Sequence, residues 1–393
     1  MGGPSSNAHL KEEIRGRARE LGFALCGFTT PDPPAHLEVF RVWLERGRHG
    51  RMAYLESPRA RAARARPQML LAGCQSVIMV AAPYPVPRPP GPDPMAGRLA
   101  SYAQGDDYHD VLVPKLKALA AWIEQPAGRR IRFRAYTDSG PILERDLAQR
   151  AGLGWIGKNT LLIHPRYGSY FFLAEILIDL RLPPDEPFQA DRCGNCTRCV
   201  QACPTQCILP DRTLDARRCV SYLSIEQKGP VPPGLREAFG NWVFGCDLCQ
   251  EVCPWNRRAD PPAPELRFLP RGHFPLADLS RELALDKEQT TQRFQGSALR
   301  RTRPEGYRRN VAVALGNSRQ AAAVPALLQA LRDPLPLIRQ HAAWALGRIG
   351  SAEAREALAR ALPQEQDPAC QQEIEEALRH EPPESADRGS RRA

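Results

Sequence analysis

No stretch of this 393-residue chain approaches 18 consecutive apolar residues, so nothing in it is expected to cross a membrane. It opens Met1-Gly2-Gly3-Pro4-Ser5 and runs straight into a charged amphipathic segment, without a twin-Arg pair, an apolar h-region or a small-residue cleavage site. The cytoplasm is therefore the expected location. Gly2 and Ser6 fit a myristoylation pattern only loosely. An even lacing of cysteine through a short secreted chain, the mark of a disulfide scaffold, is missing too. Nine of the twelve cysteines lie from Cys193 to Cys253, which points to metal, while Cys26 and Cys74 sit in apolar runs and read as small buried residues.

Two cofactor fingerprints are incomplete. Gly152-Leu153-Gly154-Trp155-Ile156-Gly157 matches G-x-G-x-x-G, but a helix precedes it and an extended segment follows. Dinucleotide binding needs the strand first and the helix second, so a nicotinamide site is excluded. Asp107-Tyr108-His109 matches the opening of a D-x-H-x-x-G corrinoid motif, yet Leu112 stands where Gly is required, so an axial His is not supported.

What is present begins with cluster ligands. Cys193, Cys196, Cys199 and Cys203, with Pro204 behind them, follow the C-x2-C-x2-C-x3-C-P spacing of bacterial ferredoxins. Cys246, Cys249 and Cys253-Pro254 form a second, shortened set, and Cys219 is the obvious replacement for its missing ligand. Crossed pairing then assigns Cys193, Cys196, Cys199 and Cys253 to one [4Fe–4S] cluster and Cys203, Cys219, Cys246 and Cys249 to another. Cys207 is left over, as a packed residue. Zinc is the alternative, but four-cysteine zinc sites use two separated pairs.

Helix and strand alternate through residues 1–187, which predicts one α/β domain. Residues 188–258 form the ferredoxin-like two-cluster domain, and 259–304 an irregular connector. An internal repeat follows in 305–380: Ala314-Leu315-Gly316 recurs 31 residues later as Ala345-Leu346-Gly347, predicting stacked helical pairs. Residues 381–393 read as a polar disordered tail. The formal net charge is +10, and residues 291–350 hold ten Arg against two acids. Arg300, Arg301, Arg308 and Arg309 are thus candidates for phosphate contact. Within the α/β domain, Thr137-Asp138-Ser139-Gly140-Pro141 reads as a turn from strand to helix, with Asp138 at the strand's carboxyl end. Capping of a helix begun by Pro141 and catalysis are both open for Asp138.

At these residues the chain resembles the epoxyqueuosine reductase family. The resemblance runs through Ser101 to His109, Asp138 to Pro141, Glu144-Arg145, Gly152 to Asn159, Gly168 to Ile176 and both cluster motifs with Cys253-Pro254-Trp255-Asn256. The repeat tail is similar to the HEAT-like domain of longer members. The resemblance implies an α/β cobalamin-binding domain, a ferredoxin-like two-cluster domain and an all-α HEAT-like repeat domain. It implies an oxidoreductase that reduces epoxyqueuosine to queuosine at the tRNA wobble position, the last step of queuosine biosynthesis. Cobalamin would act as a reduced cobalt, fed with electrons by the two clusters. Asp138 matches the family's proton donor, and Tyr102, Asp138, Ser139, Lys158 and Asn159 are the expected cofactor-binding residues. The implied partners are a tRNA anticodon stem-loop, held by the 291–350 region, and an external electron donor, with the enzyme a monomer. Two rivals are weighed against this: a cobalamin-dependent reductive dehalogenase, and an iron–sulfur electron carrier without chemistry of its own.

Overall fold

The computed structural model describes residues 4–86, 93–272, 274, 276 and 278–379. Residues 87–92 of the proline-rich loop and the 381–393 tail lie outside them. A four-stranded sheet organises the N-terminal half: β1 (Leu25–Thr29), β2 (Ser76–Pro83), β3 (Phe133–Tyr136) and β4 (Phe171–Ile178). Spatially the order is β1-β2-β4-β3, and every neighbouring pair is antiparallel.

All eight residues of β2 are buried, because both faces of the sheet are covered. Strand alternation divides them. Ile78, Val80 and Ala82 join Ala174, Ile176 and Ile178 of β4 under two helices, α1 (Pro4–Glu20) and α2 (Tyr108–Ala127). Val77, Met79 and Ala81 face the other way, onto Leu147 and Ala148 of α3 (Glu144–Arg150). Leu10, Ile14 and Ala18 supply the buried stripe of α1, and Gly22, at φ +90°, ends the helical segment in a conformation that costs glycine little.

Helix α3 starts at Glu144, three residues later than Pro141, and Leu143 precedes it without a side-chain cap. Neither Asp138 nor Ser139 caps it, which removes that reading of the turn. The G-x-G-x-x-G segment leads into a hairpin of Trp155–Ile156 with Leu162–Ile163.

The stretch expected as an irregular connector contains two helices, Leu279–Ala284 and Lys287–Arg293, started by the Asp278 and Asp286 side chains. Beyond it the repeat is a stack of α4 (Arg303–Ser318), α6 (Pro336–Ile349) and α8 (Pro368–Arg379), with α5 (Val324–Ala330) and α7 (Ala352–Ala361) between them. Two glycines mark the repeat physically. A Cβ on Gly316 would sit 2.8 Å from the Ala345 backbone, and one on Gly347 would sit 2.6 Å from Ala377. The helices approach too closely for a side chain at either place. A buried apolar cluster runs continuously from Leu10 to Ala377, so the three parts share one core. Arg98–Leu99 pairs in parallel with Trp242–Phe244, tying the sheet domain to the cluster domain.

Candidate active site and cluster centres

The turn after β3 places Asp138 in an unusual conformation, with φ +54°. Three bonds hold it there. Thr137 Oγ1 donates to the Leu173 carbonyl at 2.8 Å, the Asp138 amide donates to Glu144 Oε1 at 2.6 Å, and Tyr108 Oη donates to Asp138 Oδ2 at 2.7 Å. The carboxyl is thus aimed by a phenol on α2, and Asp138 itself is exposed.

Tyr108 stacks on Phe172, with ring centroids 4.5 Å apart and planes at 16°, and His109 stacks on its other side at 4.1 Å. Tyr102 meets Tyr108 edge-on at 6.2 Å and also touches Phe172 and Phe244. Burial, then the neighbouring Asp138 charge, push the Tyr102 and Tyr108 phenols well above their ordinary range, so both remain hydrogen-bond donors. The result is a largely buried aromatic cluster with one exposed carboxylate at its edge. Ser139 is exposed beside Asp138.

Behind the turn sits a second carboxyl pair. Glu175 occupies the middle of β4, on the face covered by α3, and is fully buried. Neither of its carboxyl oxygens meets a conventional donor among the described residues. Glu144 is the group facing it. Burial and the Asp138 charge push Glu144 up to about 8, and burial with the Glu144 charge pushes Glu175 well above the carboxylate range. Each carboxyl therefore favours its proton-bearing form, and the pair titrates as a unit.

The cysteines gather in two neighbouring groups, and Cys199 touches both. Cys193, Cys196, Cys199 and Cys253 together line a cavity of about 210 Å³. Lys158 and Asn159 line it too, and Lys158 Nζ donates to the Gly194 and Cys196 carbonyls at 2.7 and 3.0 Å. Trp155 Nε1 donates to Cys193 Sγ at 3.4 Å. Both expected cofactor ligands from this segment therefore belong to the first cluster's surroundings. Cys203, Cys219 and Cys249 pack together around Ile208, and Cys246 lies within electrostatic reach of Cys203 and Cys219. Burial pushes Cys246 up to about 12 and Cys249 well above the thiol range. A bare thiolate is unfavourable there, and a bound iron–sulfur cluster would supply the missing positive charge. Among the described residues no three acidic, His or Cys groups converge as ligands of a single metal ion. Cys207 is more than packing: its Sγ lies 3.4 Å from Cys203 Sγ, and it also bonds Cys219, a fifth thiol at the second centre.

The second centre adjoins the aromatic cluster. Ser101 N, beside Tyr102, donates at 2.7 Å to Asp247, which lies between Cys246 and Cys249. The first centre lies on the outside, bordered by Arg192, Arg198 and Arg258.

The four arginines separate. Arg300 pairs with Asp107 at 2.9 Å and Arg301 with Glu226, and each side chain stays more than half exposed. Arg301 lies over the ring of Tyr54, itself half exposed, at 5.5 Å. Arg308 and Arg309, also expected to contact phosphate, are committed elsewhere. Arg308 pairs with Asp333 at 2.6 Å and is mostly covered. Arg309 is fully buried and donates to the Leu223, Gln227 and Gly229 carbonyls and to Asn310 Oδ1. Its charge holds the repeat to the cluster domain and cannot reach an external phosphate.

Glu144, Glu175, Tyr108 and Tyr54 carry no functional assignment in the sequence, although the first three fall within its family motifs. Glu175 carried a signal, as the single acid in the apolar strand Phe171–Ile178. Tyr54 carried none, since it sits in a short helical turn far from the motifs.

Three family models match: epoxyqueuosine reductase QueG over residues 64–139, a 4Fe-4S double cluster binding domain over 192–256, and HEAT repeats over 296–379. The chain is 42% identical to the epoxyqueuosine reductase of Pseudomonas aeruginosa over 356 residues, covering 88% of this chain and 96% of the relative. It is 38% identical to that of Escherichia coli over 353 residues, covering 88% and 92%. A solved epoxyqueuosine reductase bound to an epoxyqueuosine-modified tRNA-Tyr stem loop matches with a TM-score of 0.86 at 32% identity, covering 95% of this chain and 98% of that one. The Bacillus subtilis enzyme with its catalytic aspartate loop swung out of the active site matches with a TM-score of 0.85 at 32% identity, covering 95% and 99%.

Proposed function

This chain belongs to the epoxyqueuosine reductase family, and we propose that Asp138 is the proton donor of its reaction. The protein is an oxidoreductase that reduces epoxyqueuosine to queuosine in tRNA. Its cofactors are two [4Fe–4S] clusters and cobalamin. The family decides against the dehalogenase and the bare electron carrier.

Losing the epoxide oxygen as water takes two electrons and two protons and leaves a carbon–carbon double bond. Cobalamin, when bound, supplies a reducible cobalt for this chemistry. A corrin is a broad, mostly apolar plate, and it would lie at the edge of the Tyr102, Tyr108 and Phe172 cluster, where Asp138 and Ser139 are exposed. Asp138 would give its proton to the leaving oxygen, with Tyr108 holding the carboxyl in direction. The observation that carries this reading is a left-handed aspartate bonded to a stacked tyrosine at the rim of an aromatic cluster.

Electrons would enter at the first cluster, whose mouth carries Arg192, Arg198 and Arg258, so an acidic external donor fits that face. They would pass to the second cluster beside Tyr102. Arg300 and Arg301 take the place of the wider 291–350 region as the contact for an anticodon stem-loop. Tyr54 beside Arg301 offers a ring on which an unstacked loop base can lie. Among the described residues no helix is long and apolar enough to cross a membrane, and a monomer in the cytoplasm remains the reading for assembly and location.

The test is conversion of epoxyqueuosine tRNA by Asp138→Asn in the presence of a strong chemical reductant, followed by digestion and mass analysis. Turnover should fall at least 100-fold, on the order of a lost general acid, while iron content and corrin absorption stay normal. Retained turnover removes Asp138 from the chemistry.

A further inference from the structure

We propose that Glu144, backed by Glu175, is a positioning residue that latches the Asp138 turn in its working conformation. The inference rests on the reading of Asp138 as the proton donor.

The turn needs a latch. Asp138 adopts a backbone conformation that L side chains seldom hold without outside support. Gly140, two residues on, packs so tightly on Tyr136 that a Cβ there would lie 2.7 Å from the ring. The corresponding loop of the Bacillus subtilis relative is recorded swung out, so two positions are accessible to a loop of this family. In this chain the amide of Asp138 donates to Glu144 Oε1, a bond that exists only when the turn is in place.

An acceptor for that amide works best as a carboxylate held still by its own donor. Glu175 is the group that can donate to it. It is rooted in the centre of the sheet, between Met79 and Tyr136 on the flanking strands, and no conventional donor serves its own oxygens. As a neutral acid it gives its hydrogen to Glu144, which in turn accepts from the Asp138 amide. Once both are ionised the pair repels and Glu144 is driven off the amide. The other charged groups acting on Glu144 are Asp138 itself, which favours protonation, and Arg145, which opposes it. Arg64 and Tyr108 act on it from the two neighbouring helices. One proton on the pair keeps the turn closed, and its loss at alkaline pH opens it.

Glu175→Gln provides a decisive variant, because its amide can donate to Glu144 at every pH. The experiment combines hydrogen exchange of the amides in residues 137–143 with the pH profile of turnover, in the full-length holoenzyme. Glu144→Ala should speed exchange about tenfold, as expected for a lost charge-assisted bond, and lower kcat with little change in KM for tRNA. Wild-type protection, taken relative to the intrinsic exchange rate at each pH, should fall on the alkaline side together with kcat. Glu175→Gln should keep the slow exchange and flatten that alkaline limb. Unchanged exchange in Glu144→Ala, or an unaltered alkaline limb in Glu175→Gln, overturns the latch. Exchange reads the turn without chemistry, so a failed latch stays distinguishable from a failed assignment of Asp138. Cluster absorption and the melting temperature identify any variant that has misfolded, and Glu144→Gln, which keeps an acceptor for the amide, should restore slow exchange.

Discussion

Arg300–Arg301 and Arg308–Arg309 are two pairs of the same residue in one short stretch, and they do opposite work. The first pair stands more than half exposed, near the Asp138 turn and the ring of Tyr54. The second pair is internal. Arg309 fills a site where the last turn of the Val220–Ile225 helix and the chain after it turn carbonyls inward, and its five-donor fork satisfies those of Leu223, Gln227 and Gly229. Burial draws its guanidinium down to about 10, so it is still charged at neutral pH. The difference teaches that a run of arginine is not a surface until its partners are known. Arg293, Arg339 and Arg348 in the same stretch are also engaged, by Glu282, Glu365 and Glu237.

The comparison can be broken most sharply at Arg309. Arg309→Ala should destabilise the protein by about 3 kcal/mol or more, since it orphans buried carbonyls. Thermal denaturation checks this, and a small change with weakened tRNA binding would reverse the assignment of the pairs. The Arg300→Glu and Arg301→Glu double variant should do the reverse. It should lower tRNA affinity roughly tenfold and flatten its salt dependence, leaving the melting temperature near wild type. Filter binding across a salt series reads both. Tyr54→Ala should cost about 1 kcal/mol of binding, the lower end for a lost base stack, with no change in salt slope. A parallel loss of salt dependence would mean the ring serves only to hold Arg301.

The smallest effect concerns the buried acids. Glu144 has a raised folded value, so its stabilising contribution is complete below the ordinary carboxylate range and is lost as pH rises toward about 8. Wild type should therefore lose stability relative to Glu144→Gln across that window, by roughly 1–2 kcal/mol given a pair that titrates as a unit. Denaturant titrations at several pH values measure the difference. A constant gap would mean that the Glu144–Glu175 pair loses no proton across that window.

Much of the fold was legible because it rests on local rules. The stripe of α1, the apolar run of β2 and the repeat spacing around Gly316 and Gly347 all follow from periodicity and close packing. The cluster-binding segment was legible for a covalent reason: thiolates that wrap one cubane must be near in sequence, and nine cysteines crowd the span that matches the double-cluster domain. Helix α3 was placed three residues early, because Pro141 is a good first helical residue but the turn before it is committed to aiming Asp138.

Sequence alone determined that this chain carries two clusters, an α/β domain and a helical repeat, and which family motif holds Asp138. Tertiary structure alone decided which arginines face solvent and that Glu144 and Glu175 meet behind the Asp138 turn. It also placed Lys158 and Asn159 in the cavity lined by Cys193, Cys196, Cys199 and Cys253. The physical reason is one of range. Periodicity and ligand spacing act between neighbours in the chain, whereas burial and charge pairing depend on groups brought together from distant segments, as Asp138, Tyr108 and Glu175 are.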